Sequence, residues 1–263
     1  MDPMFEIRNV SFQNTIFYPD ISIFPNQVTF ISGESGSGKS TLLRFLNGTM
    51  TPNSGSVLFF GNDVAVMDPI DLRRQVLLAN QSVFLFDGSI RNNFAQFYSF
   101  LDKKPPSYDE ISRFLRICCL DFPLDKNCSV LSGGERHRVF IAVCLSFLPK
   151  VLLMDEPTSD LDERNAVCLI RNVIAFAKEK GITLVIVSHD AEIVKQFSDW
   201  TIVIEKSNES CDGAGAHAGS GVDADAVSDA SDNGADNDVD NGADNSAEIK
   251  SVSDKKEYSG GDF

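Results

Sequence analysis

The chain has 263 residues, of which 43% are hydrophobic, so it can form one large folded domain or two small ones. Its net charge of −15 comes mainly from residues 207–263, which hold 14 acidic and 3 basic side chains, whereas residues 1–206 are nearly balanced. This distribution excludes the basic surface of a nucleic-acid-binding protein, and no stretch approaches the roughly 18 consecutive apolar residues of a membrane-spanning helix.

The first part of the chain is predicted to form short strands around a glycine-rich loop. Residues 5–12 alternate enough for a strand, residues 21–24 favour another, and the β-branched and aromatic run 28–32 predicts a buried strand. Residues 33–41 follow at once and fit the phosphate-binding pattern G-x-x-x-x-G-K-[ST] without a substitution. Residues 41–46 then predict an amphipathic helix, so the loop has the strand before it and the helix after it that a phosphate site needs.

The chemistry of this loop points to a nucleotide. Glycines let successive backbone N–H groups turn inward toward phosphate oxygens, and the helix N-terminus adds a partial positive charge. Lys39 can reach the β- and γ-phosphates, and the Ser40 hydroxyl can ligate Mg²⁺. The alternative is a glycine-rich turn that binds nothing, and the flanking elements speak against it. The predicted nucleotide-binding residues are Gly33, Glu34, Ser35, Gly36, Ser37, Gly38, Lys39, Ser40 and Thr41.

Two further strands and a helical insertion follow the loop. Strands are predicted at residues 57–60 and 76–79, and Gln81 lies just beyond the second, where its side chain can reach a metal and a water. Residues 89–130 are predicted to be a helical insertion with a small core of its own, opened by Ser89 as an N-cap. Gln81 alone is a weak signal.

A second anion-binding geometry begins at residue 131. Ser132, Gly133 and Gly134 are small residues that open a predicted helix, so that free N–H groups face outward at its N-terminus. If this site and the glycine loop cannot meet within one monomer, each must face the other in a dimer.

Charged side chains follow two buried strands in the last third of the folded part. The apolar run 151–154 ends in Asp155 and Glu156, and the run 182–187 is followed by His189. Ligands of open α/β sheets bind at the carboxyl ends of the strands, so Asp155 can hold Mg²⁺ there, and Glu156 can polarise a water that attacks a γ-phosphate. His189 can donate a hydrogen bond to a γ-phosphate oxygen. An acidic loop without function would leave two adjacent carboxylates at a buried edge unexplained.

Predicted strands alternate with predicted helices along the folded part of the chain, which indicates an α/β domain with a mainly parallel sheet. From residue 207 the chain consists mostly of Asp, Asn, Gly, Ala and Ser, and it is predicted to be a disordered acidic tail. Calcium binding by its Asp/Asn/Gly repeats is the alternative, but the repeats lack the spacing of known calcium loops.

The cysteines are predicted to be reduced. None forms a C-x-x-C pair and most sit in apolar surroundings, which is typical of core residues in a cytosolic protein rather than of a disulfide framework. The six are Cys118, Cys119, Cys128, Cys144, Cys168 and Cys211.

Taken together, these motifs resemble the ATP-binding-cassette ATPase family. They occur in the family's order and at its usual separations, and they cover residues 5–206. The motifs that carry the resemblance are residues 33–41, Gln81, the Leu-Ser-Gly-Gly-Glu sequence at 131–135, residues 151–156, the Ser-Asp-Leu-Asp sequence at 159–162, and His189.

The resemblance implies a fold and a set of domains. The fold is that of a P-loop NTPase with a mainly parallel core sheet, an N-terminal antiparallel β subdomain and a small helical subdomain at about 89–130. Residues 1–206 would form the ATPase domain, and residues 207–263 the tail. One departure concerns the aromatic residue that stacks on adenine in the family, because Asn14 occupies its position and leaves Phe12, Phe17 and Tyr18 as alternatives.

The resemblance also implies a function. The protein would be the ATP-hydrolysing subunit of a membrane transporter, acting on the cytoplasmic face of the membrane with a separate integral-membrane permease and a second copy of itself in a head-to-tail dimer. ATP and Mg²⁺ would be its cofactors. Glu156 would be the catalytic base, His189 the switch histidine and Gln81 the sensor of the γ-phosphate, while Asp162 would contact the partner copy.

The remaining implied roles concern the nucleotide and the metal. Ser132, Gly133 and Gly134 would cap the partner's ATP, and Ser40, Gln81 and Asp155 would hold Mg²⁺. The short insertion and the segment 81–94 are similar to compact bacterial cassettes, among them iron-export or metal-stress ATPases.

Two other classes are less favoured. A soluble cassette protein acting on DNA or ribosomes usually carries two cassettes or a long coiled-coil insertion, and this sequence shows neither. Intact Lys39, Glu156 and His189 speak against a catalytically inactive regulatory subunit.

Overall fold

The computed structural model describes residues 2–13 and 15–206. These residues contain ten β-strands and seven α-helices. No helix among them is both long and apolar enough to cross a membrane. The predictions for Asn14 and for the tail 207–263 lie outside the described residues.

An antiparallel sheet is formed near the N-terminus, as the family resemblance implied. Its central strand β1 (Phe5–Phe12) pairs with β2 (Ile16–Phe17), β3 (Ile21–Ile23) and β5 (Ser54–Phe59), and β6 (Asn62–Asp63) adds to β5. The two-residue strand β2 was not predicted because it is too short for a periodic pattern.

The second sheet is entirely parallel and confirms the predicted α/β class. It consists of β4 (Val28–Gly33), β7 (Val76–Ala79), β8 (Val151–Asp155), β9 (Thr183–Val187) and β10 (Trp200–Ile204), in the order β10-β4-β9-β8-β7. All five strands therefore end at the same edge of the sheet, and the predicted site residues follow those ends.

Each α-helix except the first, which begins after Gly38, starts at a side-chain cap. Ser89 accepts a hydrogen bond from the Asn92 N–H at 3.1 Å, which confirms it as an N-cap, and Ser132 accepts one from the Glu135 N–H at 3.3 Å. The helices are α1 (Lys39–Leu46), α2 (Pro69–Gln75), α3 (Ile90–Ser99), α4 (Tyr108–Ile117), α5 (Gly133–Ser146), α6 (Glu163–Lys180) and α7 (Ala191–Phe197).

The parallel sheet separates two apolar cores. Leu152 and Leu184 point to the side covered by α3, α4, α5 and α6, whereas Leu153 and Val185 point to the side covered by α1 and the antiparallel sheet. Burial on both faces explains why these strands are continuously apolar. The prediction of a separate small core for the helical insertion is wrong, because Phe94 and its neighbours join the same cluster as Leu152.

One pair of cysteines departs from the prediction of reduced thiols. Cys119 and Cys168 form a disulfide, although 49 residues separate them in the chain. Spacing along the sequence cannot show this contact, because it arises where the end of α4 meets α6. Cys118, Cys128 and Cys144 are free and buried, as predicted.

Candidate functional site

The glycine-rich loop connects β4 to α1 and is held in a conformation that requires glycine at two positions. Gly33 and Gly38 have φ angles of 144° and 101°, which side chains rarely adopt. A Cβ atom on Gly33 would collide with the Ile204 carbonyl, and one on Gly38 would lie 2.6 Å from the Tyr18 hydroxyl oxygen. The backbone of the loop is therefore packed against β10 on one side and against Tyr18 on the other.

Lys39 is the first residue of α1, and its side chain reaches back into the glycine loop. Its side chain is only 5% exposed, and its Nζ donates to the carbonyl oxygens of Gly33 at 3.0 Å and Glu34 at 2.6 Å. Burial lowers the pKa of Lys39, while the charges of Glu156 and Asp155 oppose that shift. An ammonium group with little access to water and only neutral hydrogen-bond acceptors is well suited to an anionic ligand such as a phosphate.

Ser40 and Asp155 bring two oxygen ligands together at the start of α1. The Ser40 hydroxyl donates to Asp155 Oδ1 at 3.0 Å, and Asp155 is buried at the end of β8. Burial raises the pKa of Asp155, and the hydrogen bond from Ser40 opposes the rise. A hydroxyl and a carboxylate suit Mg²⁺, which commonly takes its other ligands from water and substrate phosphates. The residues present fit that ion.

Glu156 lies between His189 and Gln81. Its Oε1 is 2.8 Å from His189 Nε2, and its Oε2 accepts a hydrogen bond from Gln81 Nε2 at 3.4 Å. Glu156 has a φ of 50°, and its N–H donates to the Val187 carbonyl at 3.1 Å, so the backbone turns sharply after β8 while attached to the end of β9. The structure thus brings together three residues that follow three different strands.

The start of α5 holds Ser132, Gly133 and Gly134. Ser132 and Glu135 form a capping box, in which the Ser132 N–H donates to Glu135 Oε2 at 2.8 Å. This hydrogen bond lowers the pKa of Glu135. Ser132 and Gly133 are exposed, and the first N–H groups of a helix have no partners within it.

The start of α5 packs against the loop that follows Glu156. A Cβ atom on Gly134 would lie 3.2 Å from Asp160 Cβ and 3.4 Å from Leu161 Cδ2. Asp162, the last residue of that loop, caps α6 by accepting from the Asn165 N–H at 3.0 Å. The signature sequence and the residues expected to contact a partner copy are therefore neighbours within one chain.

Of the three aromatic alternatives for adenine, Tyr18 has a different role. Its hydroxyl donates to the Gly38 carbonyl at 2.8 Å, and its ring is buried edge-on against Phe45. Phe12 also packs edge-on against Phe45, whereas Phe17 is 50% exposed. The sequence held no signal for Tyr18 as a support of the glycine loop, since the contact joins residues 20 positions apart.

An aromatic patch, defined as Phe84, Phe86, Phe97 and Phe100, lies on the segment after Gln81 and on α3. The ring of Phe86 is 5.0 Å from that of Phe84, 5.2 Å from that of Phe97 and 5.8 Å from that of Phe100. Phe84 is 66% exposed and Phe100 is 63% exposed. The patch was not predicted, because its members come from two separate segments.

Comparisons with known proteins identify the family. The sequence model of the family described as ABC transporter matches residues 19–159. A protein of Caldanaerobacter subterraneus subsp. tengcongensis named as an ABC transporter ATP-binding protein is 34% identical over 223 residues, which cover 80% of this chain and 90% of that protein. The Escherichia coli protein named "Probable iron export ATP-binding protein FetA" is 32% identical over 72% of this chain and 86% of its own length.

Solved structures share the fold. The structure of cbiO1 from Clostridium perfringens, part of the ABC transporter complex cbiONQ, matches with a TM-score of 0.67 and 26% identity over 79% of this chain and 88% of that one. An ATP-binding cassette in a dimeric post-hydrolysis state, bound to ADP and Pi, matches with a TM-score of 0.68 and 24% identity over 77% of this chain and 96% of that one.

Proposed function

The chain belongs to the ATP-binding-cassette family of transporter ATPases, and from that premise we propose a role for each part of its site. It is a subunit that binds and hydrolyses ATP to power a membrane transporter. The observation that carries the residue-level proposal is the contact of Glu156 with both His189 and Gln81, at the sheet edge that also holds Lys39, Ser40 and Asp155.

The glycine loop binds the phosphates of ATP. Its backbone N–H groups and the N-terminus of α1 supply donors, and Lys39 turns from the Gly33 and Glu34 carbonyls toward the β- and γ-phosphates. Ser40 and Asp155 would hold Mg²⁺, with Gln81 as a further ligand. When bound, the ion neutralises the charge that develops on the phosphate oxygens.

Hydrolysis uses Glu156 as the general base. Its carboxylate orients a water molecule for in-line attack on the γ-phosphate and accepts a proton from it. His189 and Gln81 each contact one oxygen of this carboxylate, so together they fix its direction. Once a nucleotide is bound, His189 donates to the γ-phosphate and Gln81 senses its presence.

The active form is a head-to-tail dimer. Ser132 and Gly133 are exposed at the start of α5 and contribute no hydrogen bond to the glycine loop within the described part of the chain. The N–H groups of Gly133 and Gly134 would therefore cap the ATP held by a second copy. The dimeric cassette among the similar structures supports this arrangement.

The aromatic patch is the docking surface for a separate permease subunit. It is exposed and apolar, and it follows Gln81 by three residues, so a helix pressed against it can move the side chain that touches Glu156.

Relatives of similar identity are named for iron export, methionine import, lipoprotein release and spermidine/putrescine import. We therefore assign the choice of cargo to the permease.

The substitution Glu156→Gln tests the assignment. It should lower ATP turnover at least about 100-fold, since general-base catalysis contributes that much, and it should trap an ATP-bound dimer visible by light scattering after gel filtration. Glu192→Gln changes the charge equally on the exposed surface of α7 and should leave both measurements unchanged. Normal turnover of Glu156→Gln would mean that another group is the base.

A further inference from the structure

We propose that Cys119 and Cys168 are a reversible redox site, whose disulfide forms by exchange with a small-molecule disulfide and slows ATP turnover. The effect on turnover rests on the proposed function, whereas the existence of the site does not.

The two cysteines meet between the helical segment and the core of the ATPase domain. Cys119 lies just after α4, and Cys168 is in the second turn of α6, with their Cα atoms 6.6 Å apart. Both are only half-buried, so a small thiol or disulfide can reach them. The side-chain amide of Asn172 lies 3.5 Å from the sulfur of Cys119 and 3.7 Å from that of Cys168, where its N–H can stabilise a thiolate.

The other described cysteines are unsuited to the same chemistry. Cys118, Cys128 and Cys144 are buried and unpaired. Burial raises the pKa of all three thiols, and that of Cys144 to about 12. Since the thiolate is the reactive form, these three stay inert while the pair at 119 and 168 reacts.

The disulfide attaches the segment after α4 to α6, and a hydrogen bond links the same segment to α5. The Cys119 carbonyl accepts a hydrogen bond from Arg138 Nη1 at 3.0 Å, and Arg138 lies on α5, whose first residues cap the partner's ATP. Cys168 lies on α6, which begins directly after the loop that follows Glu156. The covalent bond therefore limits how far the start of α5 can move relative to the catalytic edge of the sheet.

This constraint should slow the catalytic cycle. Each turnover requires the two halves of the site to close on ATP and to separate again for product release. The disulfide favours one arrangement of α4 and α5 on α6. It therefore raises the barrier to the second arrangement that the cycle of closing and separating requires. Reduction restores the movement without any change of sequence.

The chemistry is ordinary thiol–disulfide exchange. One protein thiolate attacks a sulfur of glutathione disulfide, which forms a mixed disulfide and releases one glutathione thiolate. The second protein thiolate then attacks the protein-bound sulfur of that mixed disulfide and releases the second glutathione. Two protein thiols are oxidised, one glutathione disulfide is reduced to two glutathiones, and a dithiol reverses both steps.

The test uses the full chain in glutathione disulfide and in dithiothreitol. Mass spectrometry of alkylated, non-reduced digests should detect a peptide linked through Cys119 and Cys168 only after oxidation. The melting temperature should then rise by about 8 °C, since the bond closes a loop of 49 residues. Turnover should fall at least about fivefold and recover in dithiothreitol.

Variants make the result specific. Cys119→Ser and Cys168→Ser should each abolish the redox response of turnover and melting temperature, while Cys211→Ser should retain it. Absence of the linked peptide, or a linked peptide with unchanged turnover, would overturn the proposal. If the reduced chain hydrolyses no ATP, the proposed function fails. The linked peptide and the melting temperature then still show whether the redox site exists.

Discussion

Replacing Tyr18 with phenylalanine should weaken ATP binding by loosening the glycine loop. The substitution removes only the hydroxyl, which donates to the Gly38 carbonyl at 2.8 Å, and it keeps the ring that packs edge-on against Phe45. Burial raises the pKa of Tyr18, so the hydroxyl stays protonated and remains a donor at neutral pH. The effect on ATP is therefore indirect and comes from the backbone of the loop.

The expected magnitude follows from the value of one hydrogen bond. A buried intramolecular hydrogen bond contributes about 1 kcal/mol to stability, so the melting temperature should fall by about 2–4 °C. The loop cannot lose more preorganisation than this bond supplied. The dissociation constant for ATP should therefore rise, by at most about fivefold, since a tenfold change corresponds to about 1.4 kcal/mol.

Tyr98 provides a matched control. Its hydroxyl also donates to a backbone carbonyl, that of Ser146, at 2.8 Å, and its side chain is similarly buried. Tyr98→Phe should lower the melting temperature to a similar extent but leave ATP affinity unchanged. Calorimetric titration with ATP and thermal melts of both variants decide the matter. Equal ATP affinity of Tyr18→Phe and the wild type would refute the role of Tyr18 in holding the loop.

Three further predictions concern the same site and the tail. Lys39→Ala should raise the dissociation constant for ATP at least about tenfold, because a charged hydrogen bond contributes about 1.5–3 kcal/mol; unchanged affinity in a titration would contradict the role of Lys39. Asp155→Asn should raise the melting temperature of the nucleotide-free protein yet abolish Mg²⁺-dependent hydrolysis. Because burial raises the pKa of Asp155, its ionised form costs stability above that pKa, so the gain should shrink in melts at lower pH. Deleting residues 207–263 should leave turnover and melting temperature unchanged, and loss of folding would show that the tail belongs to the domain.

Much of the fold could be predicted because its signals are local. The buried strands β8 and β9 contain continuous apolar runs, and β4 contains a β-branched and aromatic run. Ser89 and Ser132 are caps that can be identified from a few neighbouring residues. The separate core predicted for the helical insertion was wrong for a related reason. Periodicity shows that Ile111 and Leu115 share an apolar face, but not that this face packs on α5 and reaches the same cluster as the sheet.

The sequence predicted which residues belong to the candidate site, but not which of them contact each other. Glu156, His189 and Gln81 were each expected at a strand end, whereas only the strand order β9-β8-β7 places His189 and Gln81 on opposite sides of Glu156. Tyr18 was treated as a candidate for adenine, and the structure shows it supporting Gly38 instead. Their catalytic and binding roles stay predictions until the variants are measured.

The sequence by itself determined the phosphate-binding loop, the signature at the start of α5 and the parallel α/β class, because each depends on residues that are adjacent or regularly spaced in the chain. Only the tertiary structure decided that Cys119 meets Cys168, that Tyr18 supports the loop, and that four aromatic rings form one exposed patch. These contacts join segments that are distant in the chain. Their proximity depends on strand order and helix packing, which no local pattern encodes.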